Sequence, residues 1–181
     1  MVAGARHTAR HFRRLASCPS VKAFREWGIL LDQPSVSERP WLSFDYIEGT
    51  RLADHILSGR VKHPLRILLA VCDALAPIHR LGFAIGDFDC DRNLLLERGS
   101  GLIKFCDLDA GGPTEPPPGL DDDMHELIRL SRRMWSRSDP MAKAVVAALE
   151  SSQNAIQAGR ALRSNMATTP LLWRQAPRRS S

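Results

Sequence analysis

The 181-residue sequence predicts an α+β fold, in which a small region of helix and strand hairpin precedes a larger, mainly helical one. Three observations predict it. Extended segments cluster early, at 22–31 and 41–47, whereas apolar residues at helical spacing dominate from residue 52 onward. Two further short apolar runs, Asn93–Leu96 and Leu102–Cys106, are joined by Arg-Gly-Ser-Gly and read as a small hairpin. A hydrophobic content of 44% over this length supports one core and leaves little room for two.

Residues 5–17 read as a basic helix in which Ala5, Thr8, Phe12 and Leu15 share a face, stopped by Pro19. Between the two extended segments, Asp32–Pro40 is rich in Pro, Ser and charge and reads as a hairpin loop; Gly49 closes this part of the chain. Leu52–Leu57 predicts a short helix. A longer one begins at Pro64 and runs to about Leu81, with Leu65, Leu68, Leu69, Cys72, Leu75, Ala76 and His79 in amphipathic register. Pro64 suits its first turn and Gly82 its stop, while Pro77 predicts a kink or a shortened last turn. Residues 111–119 hold too much Gly and Pro for regular structure. Acids at 121–123 open the next helix, with Leu127, Leu130 and Met134 on one side, and Pro140–Ser151 predicts another. From Asn165 the chain reads as frayed, apart from Leu171, Leu172 and Trp173, which suit docking. There is no internal repeat.

The net charge of +5 is unevenly spread. Residues 1–25 carry six basic and no acidic side chains, and five arginines but no acid follow Glu150. Basic termini suit an anionic partner such as a phosphate-rich glycan or lipid surface; the plainer reading is a solvated surface rich in arginine. Only Phe12, Phe24 and Trp173 lie among these basic residues, too few to interleave as a nucleic-acid groove needs. Cys18, Cys72, Cys90 and Cys106 match no zinc or redox spacing and read as reduced thiols, Cys106 as core and Cys90 as partly exposed. With no run of eighteen apolar residues and no apolar stretch at Met1, the expectation is a cytoplasmic protein whose membrane role, if any, is peripheral to the inner membrane.

The most informative stretch is 85–109, where carboxylates and one amide stand at the ends of short apolar runs. Phosphoryl transfer needs a carboxylate to orient or deprotonate the acceptor hydroxyl, and oxygen ligands to hold magnesium against phosphates. Asp87, Asn93 and Asp107 supply those groups. The competing reading is that Asp87, Asp89 and Asp91 cap a turn and Asp121–Asp123 cap a helix.

Three stretches carry a family resemblance: Trp41-Leu-Ser-Phe-Asp-Tyr-Ile-Glu-Gly-Thr-Arg-Leu, Leu75-Ala-Pro-Ile-His-Arg-Leu-Gly-Phe-Ala-Ile-Gly-Asp87, and Ile103-Lys-Phe-Cys-Asp107. In their order the chain resembles the protein-kinase-like superfamily, from the middle of the small lobe through the first half of the large lobe. Gly-Asp in place of Arg-Asp, and Asp-Leu-Asp in place of Asp-Phe-Gly, look most like bacterial lipopolysaccharide-core kinase-like proteins and related atypical small kinases. The resemblance implies a truncated kinase-like fold, with a remnant small lobe over 1–49, a large lobe over 50–165 and a basic tail over 166–181. It implies an ATP- and magnesium-dependent phosphotransferase acting on a hydroxyl, of a lipopolysaccharide-core sugar or of a protein serine or threonine. Asp87 would be the base, Asn93 and Asp107 the metal ligands, and Tyr46, Glu48 and Gly49 the nucleotide-contacting hinge. Asp123 would tie the catalytic loop to the following helix, and His79 would hold a packing position.

The sequence departs from that pattern in three places. Asn93 follows Asp87 by six residues where five is usual, so either the loop holds one more residue or Arg92 takes the place, leaving Asp89 or Asp91 to supply an oxygen; Asp109 stands where glycine is usual. Neither a glycine-rich loop nor a strand lysine lies before residue 20: Gly4 is the only glycine before Gly28, and Lys22 is the first lysine. Three explanations stay open: a truncated reading of a longer gene product, a pseudokinase that binds an anionic partner without catalysis, or an enzyme in which Arg10, Arg13 and Arg14 replace the lysine. Small-molecule phosphotransfer of the aminoglycoside or choline type shares the Gly-Asp loop but needs a larger helical subdomain than this chain offers.

Overall fold

In the computed structural model the residues described are 2–32, 37–59, 61–86, 88, 93–107, 117–135 and 139–168. Asp87, Asp89, Cys90, Asp91, Arg92, Asp109, Leu171, Leu172 and Trp173 lie outside them, as does most of the Gly- and Pro-rich segment.

Helix α1 (Val2–Arg14) buries Ala5, Ala9 and Phe12, followed by Leu15 just past its end. Thr8 is only partly covered, because Ala9, which borders the same stripe, faces the core in its place. Strands β1 (Phe24–Asp32) and β2 (Ser37–Phe44) form an antiparallel pair. The pairing runs into the segment expected to be loop: Pro40 stands opposite Ile29, and Asp32 opposite Ser37. A two-stranded ribbon has two edges, so a proline whose missing N–H faces outward costs no ladder bond. Gly28 lies opposite Trp41, whose ring would be 2.7 Å from a Cβ at that position, so the glycine leaves room for the indole to cross the ribbon as it does. Phe12 of α1 meets the Phe24 and Phe44 rings at centroid distances of 6.2 and 4.6 Å, fixing the helix on the ribbon.

Residues 19–22 join this region to the rest. Phe105 donates its N–H to the Ser20 carbonyl and accepts from Lys22 N–H, at 2.7 and 3.1 Å, and Ser20 Oγ donates to the Ala74 carbonyl at 2.6 Å. The second sheet is antiparallel, with β3 (Gly49–Arg51) beside β4 (Leu94–Glu97) and β4 beside β5 (Ile103–Phe105). The division expected at residue 49 therefore falls inside a strand. One continuous core reaches from Phe12 and Leu15 through Leu52, Leu68, Phe88 and Phe105 to Leu149 and Leu162.

Short α2 (Leu52–Leu57) leads to α3 (Pro64–Arg80), whose buried face includes Leu65, Leu68, Cys72, Leu75 and His79. Pro77 does not shorten it: the helix runs on to Arg80, because Ile78 and His79 beyond it are buried. The end is a Schellman motif. Gly82, at φ +75°, donates to the His79 carbonyl, and Phe83 donates to that of Ile78.

Helix α4 (Leu120–Met134) starts with the Asp122 carboxylate accepting the Gly119 N–H at 2.8 Å, and α5 (Pro140–Glu150) with Asp139 accepting from Met141 N–H. Helix α6 (Ala155–Thr168) was not expected, and it crosses the segment read as frayed. Asn154 Oδ1 caps its first turn by accepting from Ile156 and Gln157 N–H, and Ala158 and Leu162 are buried. Gly159 packs against α3, where a Cβ would make an ordinary contact of 3.6 Å with that of Cys72.

Candidate functional site

The best-defined polar arrangement in the interior surrounds Asp123, on the first turn of α4. Its side chain and that of His79 have no exposed surface, and His79 Nε2 lies 2.8 Å from Asp123 Oδ2. His79 Nδ1 accepts the Ala155 N–H at 3.0 Å. A nitrogen that accepts carries no proton, so the network assigns the hydrogen to Nε2, which donates to Asp123. Asp123 also accepts the Gly86 N–H at 2.8 Å through Oδ1, and the Ile85 N–H at 3.0 Å through Oδ2. Three donors thus converge on one buried carboxylate, which offsets much of the cost of removing it from water. The backbone leading to Asp87 is fastened by them to α3, α4 and the start of α6.

Gly86 adopts φ +83°, a conformation side-chain-bearing residues resist, so glycine suits the position just ahead of Asp87. On the other side of Asp87, Phe88 is fully buried with its ring 5.9 Å from that of Phe105. The residues flanking Asp87 are therefore held against α4 and β5, while Asp87 itself lies outside the described residues.

Asn93 and Asp107 both lie at one end of the β4–β5 hairpin. Leu94 pairs with Phe105, and Cys106 N–H donates to the Asn93 carbonyl at 2.9 Å, which puts Asp107 one register step beyond Asn93. Asp107 is exposed and Asn93 half-buried. Their side chains offer a carboxylate and an amide oxygen, the hard donors that magnesium takes while keeping several waters, so these residues fit that ion. Among the described residues no group of three or more His, Cys, Asp or Glu side chains is placed to hold a metal.

Two cations at this end of the sheet escaped the sequence reading. Arg51 ends β3, next to the end of β4 that Asn93 precedes, and Lys22 N–H bonds the carbonyl of Phe105, two residues before Asp107. Burial pushes the Cys106 thiol above its usual range, with Lys22 and Arg51 pulling it down and Asp107 pushing it up. The Lys22 ammonium stands 4.7 Å from the Phe44 ring centroid. The only advance signal was that each adjoins a stretch read as a strand or its end. Cys106, expected in the core, is half-buried because it already lies beyond the last ladder pair.

The three residues to which the resemblance assigns a nucleotide hinge are placed differently from one another. Tyr46 is 89% exposed. Glu48 is turned to the sheet: its carbonyl accepts the Arg98 N–H, and its carboxylate pairs with the Arg98 guanidinium, both at 2.8 Å. Gly49 opposes Glu97, and a Cβ there would be 2.5 Å from the Leu96 carbonyl oxygen, so this glycine serves the close approach of β3 to β4. Arg10, Arg13 and Arg14 line a pocket on α1 with His7 and His11. Cys18 and Cys72 are buried, and burial pushes both thiols up, that of Cys72 to about 12.

No protein-family model matches the chain, and a search of curated proteins finds no similar one. No helix among the described residues is long and apolar enough to cross a membrane.

Proposed function

We propose that the chain is a kinase-like phosphotransferase that transfers the terminal phosphoryl group of ATP to a hydroxyl, on a lipopolysaccharide-core sugar or a protein serine or threonine. The observation that carries this reading is the buried Asp123 carboxylate accepting from Ile85 and Gly86, because it fixes the backbone immediately before a candidate base. Asp87 would orient or deprotonate the acceptor hydroxyl. Asn93 and Asp107 would hold magnesium, which neutralises phosphate charge when bound. Lys22 and Arg51 add positive charge beside them, where electrostatic stabilisation of the transferring group is worth most. By the resemblance, Tyr46, Glu48 and Gly49 would contact the nucleotide.

Turnover of ATP with and without magnesium tests this. Asp107→Asn removes an anionic ligand but little volume, so the variant should keep its circular dichroism spectrum and lose magnesium-dependent turnover. Equal turnover in variant and wild type would remove Asp107 from the metal site.

A second reading has its own support. Helix α1 gathers Arg10, Arg13 and Arg14 with His7 and His11 around one pocket. A kinase-fold binding module for an anionic partner, without catalysis, accounts for that. ATP binding with no turnover under any condition favours it.

A further inference from the structure

The ribbon of β1 and β2 has two edges, and they are built differently. Asp45 N–H donates to the Ala23 carbonyl at 2.9 Å, and the register shifts by one residue between Phe24 and Glu26. Bonded and non-bonded pairs alternate along an antiparallel ladder, so counting on from that bond makes Gly28–Trp41 and Leu30–Arg39 bonded pairs. Trp27–Leu42 and Ile29–Pro40 fall between them, with their backbone N–H and C=O groups turned away from the ribbon. Pro40 fits this alternation, because a residue without an N–H is tolerated where that N–H would point outward.

The outer edge of β2 is thus interrupted at Pro40, the device that keeps an edge from pairing. The outer edge of β1 has no such block. Trp27 to Leu31 holds neither charge nor proline, and Ile29 and Leu30 are 38% and 61% exposed. Among the described residues no group bonds the outward N–H and C=O of Trp27 or Ile29. Helix α1 lies across a face of the ribbon rather than along this edge, since Phe12 meets Phe24 on one strand and Phe44 on the other. An extended edge with unpaired backbone groups is a template for another strand.

We propose that β1 pairs antiparallel with β1 of a second copy of this chain, about a two-fold axis passing between the two Gly28 residues, so that two ribbons join into one four-stranded sheet. The strand is self-complementary in this register. Trp27 of each copy exchanges both backbone bonds with Ile29 of the other, and Gly28 faces Gly28 at the closer, non-bonded spacing. Trp41 crosses its own ribbon over Gly28, so the two indoles come together over the paired glycines. Glu26 falls opposite Leu30 of the second copy. Moving the axis to Ile29 sets Glu26 opposite Asp32, acid against acid, which disfavours that register. An edge contact of this size is smaller than a permanent interface, so the dimer forms and dissociates with concentration. The surface shares no residue with Asn93, Asp107 or Asp123, and the proposal stands apart from the phosphotransfer reading.

The test is sedimentation velocity of the full chain over about a hundredfold range of concentration, with amide exchange read residue by residue at both ends of the range by fragmentation mass spectrometry. The mass should rise from that of one chain toward that of two. In the dilute sample the Gly28 and Leu30 amides, bonded to β2, should exchange slowly and those of Trp27 and Ile29 rapidly. In the concentrated sample Trp27 and Ile29 should slow by roughly tenfold or more. Ile29→Pro removes an outward N–H but no bond of the ribbon, as Pro40 does on the other strand, so it should stay a single chain with an unchanged circular dichroism spectrum. Leu30→Ser removes an exposed apolar side chain and none of the outward backbone groups, so it should still dimerise, weakened less than about tenfold. Should Ile29→Pro fail to fold, exchange in the wild type decides. A single chain at every concentration overturns the proposal, whether the edge stays open or the Trp27 and Ile29 amides are slow in the dilute sample because another segment covers them. So does a dimer in which those two amides exchange as fast as in the monomer, or equal dimerisation of folded Ile29→Pro and wild type.

Discussion

Asp123 on α4 and Arg10 on α1 are both charged side chains of amphipathic helices, yet their surroundings differ completely. Asp123 is enclosed and accepts from His79, Ile85 and Gly86. Arg10 is exposed in a group of five basic side chains. A charge taken from water must find its partners inside the chain, because an unpaired one costs several kcal/mol in practice. An exposed charge faces no such demand and stays available to a ligand. Burial thus separates the polar groups that hold the candidate site together from those able to act on something outside it.

The comparison is most sharply tested by Asp123→Leu. That variant leaves the His79, Ile85 and Gly86 donors buried without an acceptor, and urea denaturation should show a loss of about 3–5 kcal/mol. A loss no larger than that of a surface substitution would break the distinction between the two regions.

Cys72, on α3, extends the argument to a buried thiol. Burial raises its pKa from 9.0 to about 12, so its thiolate should be about a thousandfold scarcer at pH 8 than in the unfolded chain. Alkylation followed by mass spectrometry should leave Cys72 unmodified in native protein and modify it in urea. The sign for stability follows from the same shift. The folded state keeps the neutral thiol, so its contribution is complete below pH 9 and declines as pH rises from 9 toward 12.

Gly86→Ala tests the backbone half of the clamp. A Cβ at φ +83° should lower stability by roughly 1–2 kcal/mol in the same urea denaturation. The smallest effect belongs to the surface. Arg163 pairs with Asp73 at 2.5 Å with both side chains half exposed, and Arg163→Gln should cost less than about 1 kcal/mol by the same denaturation.

Elements with strong local signals were legible in the sequence. Pro64 and Gly82 mark the ends of α3, and Leu52–Leu57 and the β4–β5 hairpin lie where apolar spacing puts them. Helix α6 was missed because its apolar face, Ala155, Ala158 and Leu162, is small and interrupted by Gly159, and gains its energy from packing on α3. Asn154 followed by Gln157 was the available start signal: Asn154 caps the turn and Gln157 Oε1 accepts the Gln153 N–H. The extent of β1 and β2 was also hidden, since Pro40 reads as a strand breaker unless the strand is known to be an edge.

In the candidate site, residue types were legible and environments were not. The residue types in Asp121-Asp-Asp alone do not say which carboxylate is buried; the resemblance singled out Asp123, and the helix phase set by Leu127 and Leu130 turns it inward while Asp121 and Asp122 stay exposed. Likewise Lys22 and Arg51 are far apart in sequence and both come to act on Cys106 only because residues 20–22 lie along β5 and β3 pairs with β4.

The central claim is that Asp123 holds the backbone before Asp87 in one conformation, and amide hydrogen exchange read residue by residue by NMR tests it most directly. In the wild type the Ile85 and Gly86 amides should be protected by roughly a hundredfold or more. In Asp123→Asn, where one acceptor oxygen becomes a donor, that protection should fall while the Leu130 amide in the middle of α4 stays protected. Exchange of Ile85 and Gly86 at the rate of an unstructured peptide in the wild type, or protection unchanged by Asp123→Asn, would contradict it.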